Sequence, residues 1–208
     1  LIPVWGFVAV TAPLVLTPGP STAVVLRNSI AGGARAGLLT AAGANSGSLS
    51  YALLTAFGFA AALQHWPSAW LVLRWSGVAY LSCLGVQSLV RVMRPPVARP
   101  QRPIEASRDG WRSFAAGYAT NVLNPSLAAF YLVIVPQFVP RGSPFISSVL
   151  LLAALHIAMA LAWHTSWALA GATLARVLSR RRPRQALDLA TGIALLALAG
   201  KVLKSVGP

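Results

Sequence analysis

Acidic side chains are almost absent from this chain. Glu105, Asp109 and Asp188 are the three among 208 residues, and each lies in or beside a basic stretch rather than inside an apolar run. A pore for divalent cations needs carboxylates or thiolates within its apolar segments, as does a site for a cationic side chain, and a hydrolase needs an activated nucleophile with its base. The sequence offers neither set. Cysteine is equally scarce: Cys83 alone excludes an intrachain disulfide and any cysteine-based metal motif. Charged residues are 10% of the chain, against roughly 25% in soluble domains.

What fills the sequence instead is apolar: 56% of residues, with a mean hydropathy of +0.67. No Asp, Glu, Lys or Arg occurs in 1–26, 36–64, 113–140 or 142–175, and each run exceeds the roughly 20 residues that cross a bilayer. These runs predict an all-α integral membrane protein, and six spans are placed near 3–27, 36–63, 69–90, 114–138, 146–174 and 186–204, the last, which holds Asp188 and Lys201, resting on the internal repeat below. The first run lacks a basic leader and is too long for a signal peptide, so it is expected to stay as a helix. The net charge of +14 is placed asymmetrically. Arg27 and Arg35 follow span one; Arg91, Arg94, Arg99, Arg102, Arg108 and Arg112 follow span three; Arg176, Arg180, Arg181, Arg182 and Arg184 follow span five. Those connections share one side, which the positive-inside rule makes cytoplasmic, with both termini external. The basicity therefore sets topology and contacts lipid headgroups; no aromatic-interleaved basic face marks a nucleic-acid partner.

The organisation is read as a first three-helix repeat (1–90), a cytoplasmic Pro/Arg-rich loop (91–112) and a second three-helix repeat (113–208). "SGVAYLSCLG" at 76–85 matches "TGIALLALAG" at 191–200, and "LTPGPS" at 16–21 matches "LNPS" at 123–126. Three spans per repeat is odd, so the copies insert with opposite orientation, as in many secondary transporters. Trp5, Trp66 and Trp70 fall at the expected outer interface and Trp111 at the inner one, and Arg74 is placed to snorkel outward.

The chemistry-bearing residues cluster at two proline interruptions. In span one, Thr17 is expected to cap a half-helix whose first residue is Pro18, with Gly19 as hinge, followed by Pro20 and Ser21; in span four, Asn124 and Pro125 offer the same arrangement, followed by Ser126. Helices one and four would then be broken near mid-membrane, with two bare amide ends facing one another where a carboxylate can sit. Proline kinks satisfied by neighbouring helices are the competing reading. Asn45 and Asn121 supply amides that serve either a site or interhelical bonding. His156 is the proton-relay candidate, ahead of His164; eight residues apart and without acidic ligands, the two do not suggest a metal site. No cofactor is called for.

At these residues the chain resembles the LysE/RhtB family of bacterial amino-acid exporters. The resemblance is carried by "TPGPS" at 17–21, "GARAG" at 33–37, "GVAYLSCLG" at 77–85 and "FAAGYATNVLNPSLAAFYLVIVPQFV" at 114–139. The chain departs from the family pattern in having Ser21 where Asn is usual and Ser126 where Lys is usual. The resemblance implies a six-span protein of the bacterial inner membrane that exports a small amino acid, here expected to be neutral, from the cytoplasm by alternating access, with oligomeric state, including a homo-oligomer, left open.

A metal or inorganic-ion exporter and a non-transporting scaffold whose basic loop binds a partner are the alternatives. Deleting part of 95–107 separates the last of these from a transporter: transport into proteoliposomes is expected to survive the deletion, whereas a wild-type protein that transports nothing and loses its partner or lipid binding on deletion would favour the scaffold.

Overall fold

The computed structural model describes residues 3–58, 69–93 and 109–178, with 185, 186, 189, 190, 192, 193, 196, 197, 199, 200 and 203 beyond them. Every regular element among these is helical. Helix α1 is Val4–Leu16, α2 is Pro20–Leu53 continued by a π-turn at Leu54–Gly58, and α3 is Ala69–Met93; α4 is Gly110–Val122 and α5 is Pro125–Ala129. From α5 the chain passes through a π-turn (Phe130–Ile134) and a 3-10 turn (Val135–Phe138), and α6 is Phe145–Leu178. Helical residues recur between 185 and 203, where the sixth span is expected. The arginine-rich connection over 94–108, Trp66, and the side chains of Trp70 and Arg74 lie outside the described residues.

Among the described residues, α6 alone contains a single straight stretch long and apolar enough to cross a bilayer, Phe145–Ala170; α1 with Pro20–Gly58, and α4 with Pro125–Phe138, qualify as bent pairs. The outer surface is that of a protein solvated by lipid, with Trp5, Ile30, Leu54, Phe57, Val72, Leu123 and Leu169 exposed.

Helix α2 doubles back on itself. A straight helix would separate Asn28 from Thr40 by about 18 Å, yet Asn28 Nδ2 donates to Thr40 Oγ1 at 2.8 Å. The reversal occurs at Gly33, whose φ of 79° and ψ of 177° are open to glycine alone. The expected loop over 28–35 is thus a one-residue corner: helical geometry runs to residue 32 and resumes at 34, because glycine turns the chain without releasing the flanking hydrogen bonds. Asp109 caps α4 by accepting from the Trp111 amide at 3.1 Å.

Inside, two apolar clusters sandwich a polar layer. The larger joins Phe7 and Val10 of α1, Ala52 and Ala56, Phe130 to Val139, and Val149 to Ala153 of α6; the smaller joins Val25, Ala41, Trp167 and Ala168. Along α6 the buried polar residues His156 and His164 lie between them. The second arm of α2 (34–53) packs on α4 through glycines: a Cβ at Gly117 would stand 2.0 Å from the Thr40 carbonyl oxygen, and one at Gly43 would stand 2.0 Å from that of Phe114. Helix α3 meets the C-terminal helical residues equally closely, a Cβ at Gly85 falling 3.2 Å from the Gly192 oxygen.

A methyl group at Gly117 collides with backbone, whereas one at Gly19 meets nothing nearer than the Thr17 oxygen at 4.0 Å. Gly117→Ala is therefore expected to cost at least ~1–3 kcal/mol and to lower the melting temperature in detergent by several degrees, with Gly19→Ala melting as wild type. Equal melting of the two variants would contradict the glycine-mediated contact.

Candidate functional site

Two X-Pro steps dictate the first interruption. A residue before proline is driven out of the α region, so both Thr17 (φ −71°, ψ 117°) and Gly19 (φ −120°, ψ −169°) are extended. Helical structure cannot resume until Pro20, which occupies the first helical position, and the axis turns by 48°. This corrects the expectation that Thr17 caps a helix starting at Pro18. Thr17 instead closes α1, its amide and hydroxyl both donating to the Pro13 oxygen at 3.0 and 2.8 Å.

The break leaves backbone groups of both signs without helical partners. Pro18 and Pro20 stand four residues after Leu14 and Leu16 and have no N–H to give their carbonyls. At the start of α2, Ala23 donates to the Gly19 oxygen at 3.0 Å. The Ser21 and Thr22 amides precede any intrahelical acceptor, and Gly19 has no side chain with which to cap them.

The second interruption resolves itself differently. Asn124 caps α5 by accepting from the Ser126 amide at 3.0 Å, and its carbonyl accepts from Leu127 and Ala128 at 3.1 and 3.0 Å. The Val122 carbonyl, deprived of Ser126 as a donor, accepts from Tyr51 Oη at 2.6 Å. Asn124 and Pro125 thus cap and open a helix as expected, and the axis turns by 58°. The expected second bare amide end is nevertheless filled from within, since an asparagine side chain reaches the amide that a glycine cap leaves open.

Between the breaks lies a cavity of about 130 Å³, walled by Leu14, Val15, Thr17, Gly19, Pro20, Ser21 and Thr22 on one side and by Ser48, Asn121, Asn124 and Leu127 on the other; α6 closes it with His156, Ala160 and His164. Asn121 pins three parts of the wall together. Its Oδ1 accepts from the Ser21 hydroxyl, and its Nδ2 donates to the Ala44 oxygen at 2.6 Å and to Ser48 Oγ at 3.1 Å. His156 Nδ1 is hydrogen-bonded to Tyr131 Oη at 2.8 Å, with the Phe130 ring centroid 4.6 Å away. Among the described residues, no lysine, arginine, aspartate or glutamate lines the cavity.

Of the residues singled out in the sequence, Thr17, Gly19, Pro20, Ser21, Asn121, Asn124 and His156 meet at this cavity. Pro18, Pro125 and Ser126 are exposed and outside it, acting through the backbone they shape. Asn45 is not in the wall; its Nδ2 donates to the Ala41 oxygen at 2.8 Å and faces His164 Nδ1 at 3.3 Å. His164, ranked second to His156 by sequence, lines the cavity equally. Thr22 and Tyr131 were not anticipated. The signal for Thr22 is its place within the first turn after Pro20, but nothing in the sequence marks Tyr131 as a partner of His156, because their contact depends on how the π-turn aims the phenol. Among the described residues no three His, Cys, Asp or Glu side chains form a metal cluster.

Comparison with known proteins finds bacterial membrane and efflux proteins. An uncharacterized membrane protein of Pseudomonas aeruginosa is 28% identical over 92% of this chain and 89% of its own length. A homoserine/homoserine lactone efflux protein of Salmonella typhimurium is 25% identical over 97% of this chain and 95% of its own. A leucine efflux protein of Salmonella choleraesuis is 26% identical over 67% and 65%. No solved structure matches the chain. The LysE type translocator model matches residues 12–205, and the chain belongs to that family.

Proposed function

We propose that the protein is a secondary transporter that exports small neutral amino acids or their close derivatives across the bacterial inner membrane by alternating access. The observation that carries the reading is the polar cavity between the helix breaks, where first-turn amides of α2 and last-turn carbonyls of α1, which no bond within a helix serves, lie close together. The substrate carboxylate binds at the Ser21 and Thr22 amides, on the positive end of α2. The ammonium turns to the end of α1, toward carbonyls such as that of Leu14, in a wall without acidic side chains. Engineered cavities of roughly 150 Å³ hold benzene, so 130 Å³ suits a substrate of similar size. Relatives of this chain carry the names homoserine/homoserine lactone efflux protein and leucine efflux protein, which supports amino-acid export.

Geometry supports a mid-membrane placement of the breaks. His156 lies eleven residues into α6, about 17 Å along its axis, close to the middle of a hydrocarbon layer about 30 Å thick. The interruptions that face it are then near mid-membrane. Two bent pairs, each with a cap-Pro start, together with the close approach of α3 to the C-terminal helical residues at Gly85 and Gly192, support an inverted pair of three-helix repeats about the cavity. The corner at Gly33 lies between Arg27 and Arg35 and faces the cytoplasm by the positive-inside rule, leaving both termini external.

Gly19 is the hinge between conformations. Its present dihedrals are open to any residue, so glycine's freedom is used only when the break opens to the other side. Gly19→Val is expected to fold and insert normally while losing export at least tenfold. Wild-type flux from the variant would remove the hinge.

His156 carries the coupling proton, exchanging it beside Tyr131, its hydrogen-bond partner behind the wall, and His164, the other titratable group that lines the cavity among the described residues. His156→Gln is expected to keep exchange of labelled for unlabelled substrate while losing uptake driven by an imposed pH gradient. Retention of gradient-driven transport would exclude that role.

The reading as a whole is tested by counterflow in proteoliposomes with labelled alanine, serine, threonine, valine, leucine, homoserine, lysine and arginine. Exchange of the neutral set is expected; movement of lysine or arginine alone would contradict an acid-free site.

A further inference from the structure

We infer that His164 is the specificity-determining residue of the cavity, and that it selects amino acids whose side chain carries a hydroxyl group over aliphatic ones of the same shape. The inference rests on reading the cavity as an amino-acid site.

The proton on His164 can be placed from its surroundings. Asn45 is buried, and its Nδ2 donates to the Ala41 oxygen at 2.8 Å, which fixes which end of the amide is nitrogen. The same Nδ2 faces His164 Nδ1 at 3.3 Å. An amide nitrogen only donates, so Nδ1 accepts and the neutral ring carries its proton on Nε2. Nε2 has no hydrogen-bond partner among the described residues, and it is not one of the sealed, partnerless polar atoms of the interior. His164 lines the cavity, which is where a bond from Nε2 can be made. The wall therefore presents one fixed N–H donor, held in direction by Asn45 through a helix-anchored amide.

Such a donor discriminates by what covers it. A substrate hydroxyl accepts from Nε2–H. A methyl group in the same place strips water from the donor and returns nothing, which is the expensive way to bury a polar group. Ala160, one turn before His164 on the same wall, leaves room for a short side chain there. His156 differs, because its Nδ1 faces a phenol that can donate or accept, so its ring proton is not assigned by its neighbours. The preference is accordingly placed on His164. Sites built to pair a substrate hydroxyl reject the analogue without it far more strongly than apolar pockets reject an extra methylene.

Threonine and valine differ by exchange of a hydroxyl for a methyl group and make the direct test. In counterflow with wild-type protein, threonine is expected to exchange at least ~10-fold faster than valine at equal subsaturating concentration. His164→Leu is expected to bring the threonine-to-valine ratio within that variant close to one, and His164→Gln, which keeps a side-chain donor, to retain most of the preference. Equal exchange of threonine and valine by the wild type overturns the inference and leaves amino-acid export standing. A His164→Leu variant that exchanges valine and still prefers threonine overturns the assignment to His164. Exchange of no amino acid by the wild type overturns the export reading and this inference with it.

Discussion

The structure depends on two amide hydrogens that do not exist. Pro18 and Pro20 cannot donate to the carbonyls one turn before them, and each forces its predecessor into an extended conformation. A single proline would kink a helix that neighbours could repair. Two, separated by one glycine, prevent repair, because both residues that would have to be helical are barred from it. The consequence is a place inside an apolar protein where one helix ends in carbonyls that proline cannot serve and the next begins with amides that no intrahelical carbonyl serves. Everything around it is arranged to keep that place from collapsing: apolar clusters above and below, Asn121 bonding across it, and α4 held against α2 by glycines that admit no side chain.

The contrast between the two interruptions bears on function. The second has the same cap-Pro start but is closed by its own residues, Asn124 and Tyr51 taking the groups that proline sets free. The two breaks therefore differ in use: one supplies polarity to the cavity, and the other supplies a corner that positions Asn121 and Leu127 in its wall. A carrier of a small asymmetric solute has reason for such a division, since a zwitterion needs one end of a helix and not two. Ser21 fits the same account. Where the family usually has asparagine, this chain has a short hydroxyl that bonds to Asn121 and leaves the cavity open.

Much of this was legible in the sequence, because membrane segments announce themselves by the length of uncharged runs and proline announces a break by its missing hydrogen. The two break sites follow from those facts, and the polar or titratable character of Asn121 and His156 within uncharged runs completes the seven expected residues that meet at the cavity. The capping was misread at Thr17 because the rule that threonine caps helices is local, whereas the backbone there is decided by Gly19 and Pro20 beyond it. The corner at Gly33 was read as a loop because arginines on either side mimic one. Asn45, expected to serve either a site or interhelical bonding, bonds to the Ala41 oxygen and faces His164, an outcome that rests on packing between α2 and α6 and has no trace in spacing. Eight residues place two histidines about 80° apart on a helix, which argues against a shared ligand yet still lets both face a cavity wide enough to span the interval.

The account stands on the Ser21 and Thr22 amides receiving the substrate carboxylate, and these can be watched directly. With those two residues labelled at the backbone nitrogen in lipid-reconstituted protein, solid-state NMR across a titration with an amino acid shown to be exchanged is expected to shift both amide resonances saturably. The Ser126 amide, already held by Asn124, is expected to stay in place. Amides of Ser21 and Thr22 that do not respond while the same sample carries out exchange would contradict the account.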